Sequence, residues 1–238
     1  MKLQFLGRGA GFNPAEGSTS AYFIADGEMF LIDSGESIFH TLHKRKLLNN
    51  VTALNIFITH THADHVGSLG TLILYAFAEK KIPVTIVTGR NMAYLSDIRS
   101  LLTIFGLSRG MYRFADTAAF SGRYSSFSKV RYVKTRHCNE LASCGIVFET
   151  DRGLVFYSGD INDLSPLVKI IKSGCPIDRI YIDSGNGTKP NPHHVLIHQI
   201  NDVIPAELRP RVYCMHLSNS RCITEAQACG FNVVMNNG

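Results

Sequence analysis

The stretch Ile56-Phe57-Ile58-Thr59-His60-Thr61-His62-Ala63-Asp64-His65 decides how this chain is read. Its first half closes a nearly continuous apolar run, residues 51–59 with Leu54, Ile56, Phe57 and Ile58, which suits a strand buried on both faces. The run ends directly in histidines. His60 and His62 stand two apart, so at a strand end both rings can point the same way. The turn that follows can bring Asp64 and His65 to a second point nearby, just ahead of a helix start at Gly67. Imidazole nitrogens and a carboxylate oxygen at two adjacent points suit two metal ions of zinc-like preference. Three unrelated surface histidines would be the plainer reading, and so dense a spacing in one loop argues against it.

Working outward, the N-terminal side reads as short strands over 2–6, 20–24 and 29–32, with an Asp26-Gly27 turn between the last two. An Asp-Gly pair between apolar runs signals a hairpin because the turn needs positive φ. A helix is expected over 37–48. On the C-terminal side a helix from Gly67, a strand over 83–88 and a helix over 92–105 give a βαβ rhythm. Residues 106–127 show no clear period and read as an irregular or mobile segment. Strands return over 130–135, 145–150 and 154–157, followed by a helix over 164–173, a strand over 179–182, a helix over 194–203 and a strand over 211–215. The whole is an α/β chain, expected to form one domain over 1–238.

One internal echo stands out: Phe30-Leu31-Ile32-Asp33-Ser34-Gly35 and Ile180-Tyr181-Ile182-Asp183-Ser184-Gly185. It is compatible with two similar halves packed as a sandwich, or with chance recurrence of a strand-then-turn pattern.

Composition bounds the class. With 45% hydrophobic and 18% charged residues the chain reads as an ordinary soluble globular protein rather than a disordered one. The N-terminus reaches Gly7 and Arg8 after six residues, too soon for a signal peptide's apolar region. The longest apolar stretch, 69–78, is interrupted by Gly70 and Thr71 and followed by Glu79, Lys80 and Lys81, so no membrane span is expected. The six cysteines include no CxxC pair and are expected as free thiols in a reducing cytoplasm. A net charge of +5 is a modest bias toward anionic partners.

The run His60-Thr61-His62-Ala63-Asp64-His65 resembles the HxHxDH signature of the metallo-β-lactamase superfamily in full. The resemblance implies an αββα sandwich and three further metal ligands at strand ends, for which His137, Asp160 and His216 stand in the expected order. It implies that His60, His62 and His137 hold one divalent ion, that Asp64, His65 and His216 hold a second, and that Asp160 bridges both. The ions would be Zn²⁺, with Mn²⁺ as an alternative. Five neutral imidazoles with a bridging carboxylate would leave the pair electrophilic enough to activate a shared water. Asp33 looks like the superfamily's aspartate that orients a ligand from behind.

Further blocks resemble the ribonuclease Z branch: Phe5-Leu6-Gly7-Arg8-Gly9-Ala10-Gly11, Leu31-Ile32-Asp33-Ser34-Gly35-Glu36 and His216-Leu217-Ser218. The chain departs from that branch at Ala63, where glycine is usual, and at 181–185, where a HEAT-like motif would stand. No insertion resembles its RNA-gripping arm. A compact chain with this core resembles the small cyclic-nucleotide phosphodiesterases of the anti-Pycsar type, phage-encoded proteins and bacterial relatives that destroy cyclic mononucleotide defence signals. The resemblance implies a cyclic mononucleotide substrate, a homodimer and a cytoplasmic setting. Asp64 would be essential to hydrolysis, and one of the pair His193-His194 would be the general acid that protonates the leaving ribose oxygen.

The segment from Arg109 to Arg136 interleaves basic residues with Tyr112, Phe114, Tyr124 and Phe127, a mixture suited to base stacking, to a dimer contact or to a solvated face. Two other functions share the ligand set: an endonuclease acting on structured RNA, and a lactone or thioester hydrolase.

Overall fold

The computed structural model describes residues 1–89, 92–189 and 191–236. Two six-stranded sheets pack face to face, with helices on both outer faces. The first sheet runs in chain order: β1 (Gln4–Gly7), β2 (Ser20–Ala25), β3 (Glu28–Ile32), β4 (Ala53–Phe57), β5 (Val84–Thr88) and β6 (Arg113–Asp116). The second does the same: β7 (Lys129–Thr135), β8 (Ser143–Thr150), β9 (Gly153–Tyr157), β10 (Ile177–Asp183), β11 (Val212–Met215) and β12 (Asn232–Val233). Outside the first sheet lie α1 (Ile38–Lys44), α2 (Ala63–Val66), α3 (Leu69–Ala78) and α4 (Leu95–Ile104). Outside the second lie α5 (Ser165–Lys172), α6 (Ile197–Val203) and α7 (Arg221–Ala228). This is the αββα sandwich that the motif implied.

Strand periodicity builds the layers. Along β3, Met29 and Leu31 face the α1–α4 layer while Phe30 and Ile32 face the other sheet, as a repeat of two requires. Along β8, Ile146 and Phe148 face inward and Val147 meets the outer helices. The inter-sheet layer is aromatic, with Phe23 against Phe148 at 5.4 Å and Phe57 against Phe148 at 5.6 Å. Truncating one such ring to alanine costs about 3–5 kcal/mol.

Each sheet opens with two antiparallel pairings and continues with three parallel ones. The two halves therefore share one topology. The sequence echo does not report it, because β3 is the third strand of its sheet and β10 the fourth. The structural counterparts are the ends of β3 and β9. Asp33 N–H donates to Phe57 O at 2.9 Å, and Ser158 N–H donates to Tyr181 O at 3.0 Å. Thr59 N–H then donates to Asp33 Oδ1, as Asp183 N–H donates to Ser158 Oγ.

Several local expectations need correction. The helix expected over 37–48 stops at Lys44 because Lys46 takes φ +54°, and the Leu47 N–H returns to Leu42 O at 3.1 Å. No glycine marks that stop. The segment 106–127 is not irregular throughout, and of the four aromatics read over 109–136 two, Tyr124 and Phe127, are not free for stacking. It contains β6, four residues too short to show a period, and Phe120, Tyr124 and Phe127 are buried between the sheets. Tyr124 meets Phe30 edge-on at 4.8 Å, so Tyr124 and Phe127 serve the core rather than a ligand or a partner chain. The helix expected over 194–203 begins at Ile197, and α7 and β12 were not anticipated.

Candidate metal centre

β4, β7, β9, β10 and β11 all deliver a polar residue just beyond or at their C-terminal ends. His60 follows β4, and His62 opens the turn into α2, which carries Asp64 and His65. His137 follows β7, Asp160 follows β9, Asp183 ends β10 and His216 follows β11. Parallel strands that end at the same level gather these residues from 156 positions of chain, His60 to His216, into one cavity floor.

Gly35 makes room for the turn, since a Cβ there would lie 1.8 Å from the backbone oxygen of Asp64. His216 takes φ +54°, a left-handed conformation that histidine adopts at a cost of roughly 1–2 kcal/mol.

The donor atoms of these seven residues fall into two groups, and a third group, Asp183, His194 and His216, adjoins them through His216. His60, His62, His137 and Asp160 form one; Asp64, His65, Asp160 and His216 form the other; within each, the atoms lie within 4.8 Å of one another. Asp160 belongs to both. Its Oδ2 lies 3.8 Å from His60 Nε2, 3.7 Å from His137 Nε2 and 3.3 Å from His216 Nε2, while its Oδ1 lies 3.2 Å from His65 Nε2. All seven residues named from the sequence are thus brought together.

The outward nitrogens determine which way each ring presents itself. His137 Nδ1 donates to His193 O at 2.8 Å, because a carbonyl can only accept. His65 Nδ1 donates to Asp33 Oδ2 at 2.8 Å. The Thr59 hydroxyl donates to Asp33 Oδ2 at 2.8 Å, so its oxygen is free to accept from His60 Nδ1 at 3.1 Å. Each Nε2 then faces inward, and on a neutral ring it presents a lone pair. His60 Nε2 and His137 Nε2 approach His62 Nδ1 at 3.0 and 3.1 Å, and His65 Nε2 is buried without a hydrogen-bond partner. Converging lone pairs repel unless a cation lies among them, so this donor set fits divalent metal binding.

The electrostatics agree. Burial, then the charge of His65, holds His60 well below the usual imidazole range, so it is neutral and ready to donate a lone pair. Burial alone would lower His216, yet Asp160 and the other carboxylates around it push it up to about 10. The cavity floor favours positive charge.

Asp33 is fully buried at φ +62° and satisfies Thr59 N, Thr59 Oγ1 and His65 Nδ1, each at 2.8 Å. Of the histidine pair, His194 turns toward the cluster. Its ring lies 5.0 Å from that of His216 and 5.0 Å from that of His137, and its Nδ1 meets Asp183 Oδ2 at 2.7 Å. His193 is exposed on the rim, 6.0 Å from His137 between ring centroids. Asp183 was not singled out from the sequence as a functional residue. The signal was the strand-end Ile182-Asp183-Ser184-Gly185, visible there only as half of an echo.

The cavity above these residues measures about 720 Å³, within the range of small-molecule sites. Its rim includes Phe12, Glu36, Glu140, Asn191 and Ser218. Among the described residues no helix is long and apolar enough to cross a membrane.

Fold and site together define a protein of the metallo-β-lactamase fold. YhfI of Bacillus subtilis, a metallo-β-lactamase fold protein, superposes with a TM-score of 0.71 at 15% identity, over 98% of this chain and 94% of that one. Residues 1–237 match the family described as Anti-Pycsar protein Apyc1, and the chain belongs to that family. The Anti-Pycsar protein Apyc1 of Bacillus phage BSP38 is 28% identical over 241 aligned residues, 92% of this chain and 90% of its own length. A ribonuclease Z of Methanococcus maripaludis is 41% identical over 93 residues, which is 36% of this chain and 28% of that enzyme. The chain therefore spans little more than a quarter of that relative's length. Family, fold and donor clusters support a metal-dependent hydrolase.

Proposed function

We propose that the protein is a two-metal phosphodiesterase that opens 3′,5′-cyclic mononucleotides. The observation that carries this reading is the pair of four-residue donor groups sharing Asp160, set in a nucleotide-sized cavity beside the Asp183–His194 pair. It is supported by the family match, since proteins of the anti-Pycsar type destroy cyclic mononucleotide signals.

In this reading His60, His62 and His137 would hold one ion and Asp64, His65 and His216 the other, with Asp160 common to both donor groups. When bound, two divalent ions, Zn²⁺ or alternatively Mn²⁺, activate water and offset the phosphodiester's negative charge. The chain does the rest. Asp183 holds His194 Nδ1, leaving Nε2 to carry the proton. As water adds to phosphorus and gives up one proton, the bond to one ribose oxygen breaks and His194 Nε2 gives that oxygen its proton; the proton released by water restores His194, and a nucleoside monophosphate remains. His193 stands on the rim and does not take part. The reading also places the protein in the cytoplasm, where such signals act, as a homodimer.

A second reading, an RNA-processing endonuclease, is favoured by the partial match to ribonuclease Z. Turnover of a panel of 3′,5′-cyclic mononucleotides beside a transfer-RNA precursor and a thioester separates the readings, with Asp64→Ala as control. Cyclic-nucleotide opening that is lost in Asp64→Ala is the expected result. Precursor cleavage with inert cyclic nucleotides would move the protein to RNA processing, and turnover of the thioester alone to acyl hydrolysis.

A further inference from the structure

Phe12 is the most exposed large apolar side chain among the described residues, with a relative exposure of 104%; the others lie between 40% and 79%. A lone exposed phenylalanine is ordinary on a protein surface. This one is set apart by its position. It lines the cavity over the donor clusters, and apart from Ala10 and Ala63 the cavity lining is otherwise glycine, cysteine and polar or titratable residues.

The loop that presents Phe12 is tied down on both flanks. Ala10 N–H donates to Leu217 O at 3.1 Å, Leu217 N–H donates to Arg8 O at 2.8 Å, and the Asn13 side-chain amide donates to Leu217 O at 2.9 Å. Arg8 is clamped in turn by Glu16, at 2.7 Å. Leu217 directly follows His216, so the loop is registered against the site itself. Gly11 closes the gap, because a Cβ there would lie 3.0 Å from Asp64 Oδ2. A rigid backbone segment that touches Asp64 thus holds out a ring with no protein contact of its own.

A phosphodiester seated on the His and Asp floor must lay the rest of its body along this rim. A flat heteroaromatic body gains most from a π-face there, since base-on-ring stacking works with any base and needs no matched hydrogen bonds. Resting on the cyclic-nucleotide reading above, we infer that Phe12 is the stacking platform for the nucleobase and positions the substrate by that contact. It makes no contact with the reacting atoms, so its effect belongs in substrate affinity.

The chain contains no tryptophan, so Phe12→Trp introduces a single tryptophan at the rim, which can be excited selectively over the tyrosines. Metal-loaded Phe12→Trp protein is titrated with adenosine 5′-monophosphate and, separately, with ribose 5-phosphate, and KM and kcat for a cyclic mononucleotide are compared among native, Phe12→Ala and Phe12→Trp proteins. The expected result is quenching by the nucleotide and none by the sugar phosphate. Phe12→Ala raises KM on the order of tenfold, the size typical of a lost stacking ring, while kcat stays within about twofold and Phe12→Trp restores KM. If native protein opens cyclic nucleotides but Phe12→Ala has native KM and emission ignores the nucleotide, the inference fails alone. It also fails alone if emission follows protein concentration instead, because a second copy then covers the ring. If native protein opens no cyclic mononucleotide, the functional reading fails and the inference falls with it.

Discussion

Asp183 Oδ2 lies 2.7 Å from His194 Nδ1, and the same carboxylate's Oδ1 lies 3.4 Å from Nδ1 of His216. One buried side chain thus sets the ring of the proposed acid and backs the ring of a proposed ligand. Burial opposes the charge on both partners, but mutual attraction prevails: Asp183 is held below the usual carboxylate range, and His194 is raised above the usual imidazole range. His194 therefore keeps its proton to higher pH than a free imidazole, as a donor needs.

From this pair it follows that His194→Ala loses about 10²–10⁴-fold in kcat on a cyclic nucleotide, the span of a general acid's contribution. His193→Ala stays near native. With a p-nitrophenyl phosphodiester, whose leaving group needs no proton, the His194→Ala defect shrinks. Equal losses on both substrates would show that His194 acts by holding His216 rather than by giving a proton.

Asp33 is the only carboxylate in hydrogen-bond contact with His65 Nδ1 among the described residues. Asp33→Asn keeps the shape and replaces an acceptor oxygen or adds an amide donor facing donors. Metal affinity is expected to fall roughly 10- to 100-fold, as for other partners of metal-binding histidines. Competition with a chromophoric chelator measures it, and an unchanged affinity would assign Asp33 to the fold alone.

Gly35→Ala would push a methyl group into the backbone of Asp64, since the close approach is to the carbonyl rather than to a side chain that can swing away. Stability should fall by about 1–3 kcal/mol, the cost of overpacking a tight site, with activity lost beyond what the unfolded fraction explains. Thermal melts beside single-turnover rates separate the two effects.

Behind the site, Tyr94 donates to Ile58 O at 2.7 Å, so the Cys144 thiol donates to the Tyr94 oxygen at 2.6 Å. Burial pushes the Cys144 thiol up to about 12 from an ordinary 9.0, and pushes Tyr94 and Tyr132 well above 10.0. Below pH 9 folded and unfolded chains both hold the thiol proton, and the full stability is present. Above it the unfolded chain releases the proton while the fold keeps it, so stability falls as pH rises toward 12. Urea midpoints should therefore drop steadily over that window, and Cys144→Ala should lessen the slope without abolishing it, since Tyr94 and Tyr132 are pushed the same way.

Much of the fold was legible because it rests on local pattern. The apolar run into His60 and the Asp26-Gly27 turn between β2 and β3 needed no tertiary information. What misled was also local. A four-residue strand such as β6 cannot display a period, and the stop of α1 at Lys44 comes from a lysine in a left-handed conformation, which composition does not announce. Phe120 ends a single 3-10 turn and Tyr124 and Phe127 lie outside any strand or helix, so nothing in their spacing told that they fill the space between sheets.

The sequence by itself determined the chemistry on offer: which imidazoles and carboxylates exist, in which order, and that His60, His137, Asp160 and His216 each follow a strand. Only the tertiary structure decided who faces whom. Parallel pairing of β9, β10 and β11 brings Asp160, Asp183 and His216 level, and Asp183 then holds the ring of His194, not that of His193, against the cluster. Distances between residues far apart in the chain arise from sheet register and layer packing, which are properties of the whole fold and of no single segment.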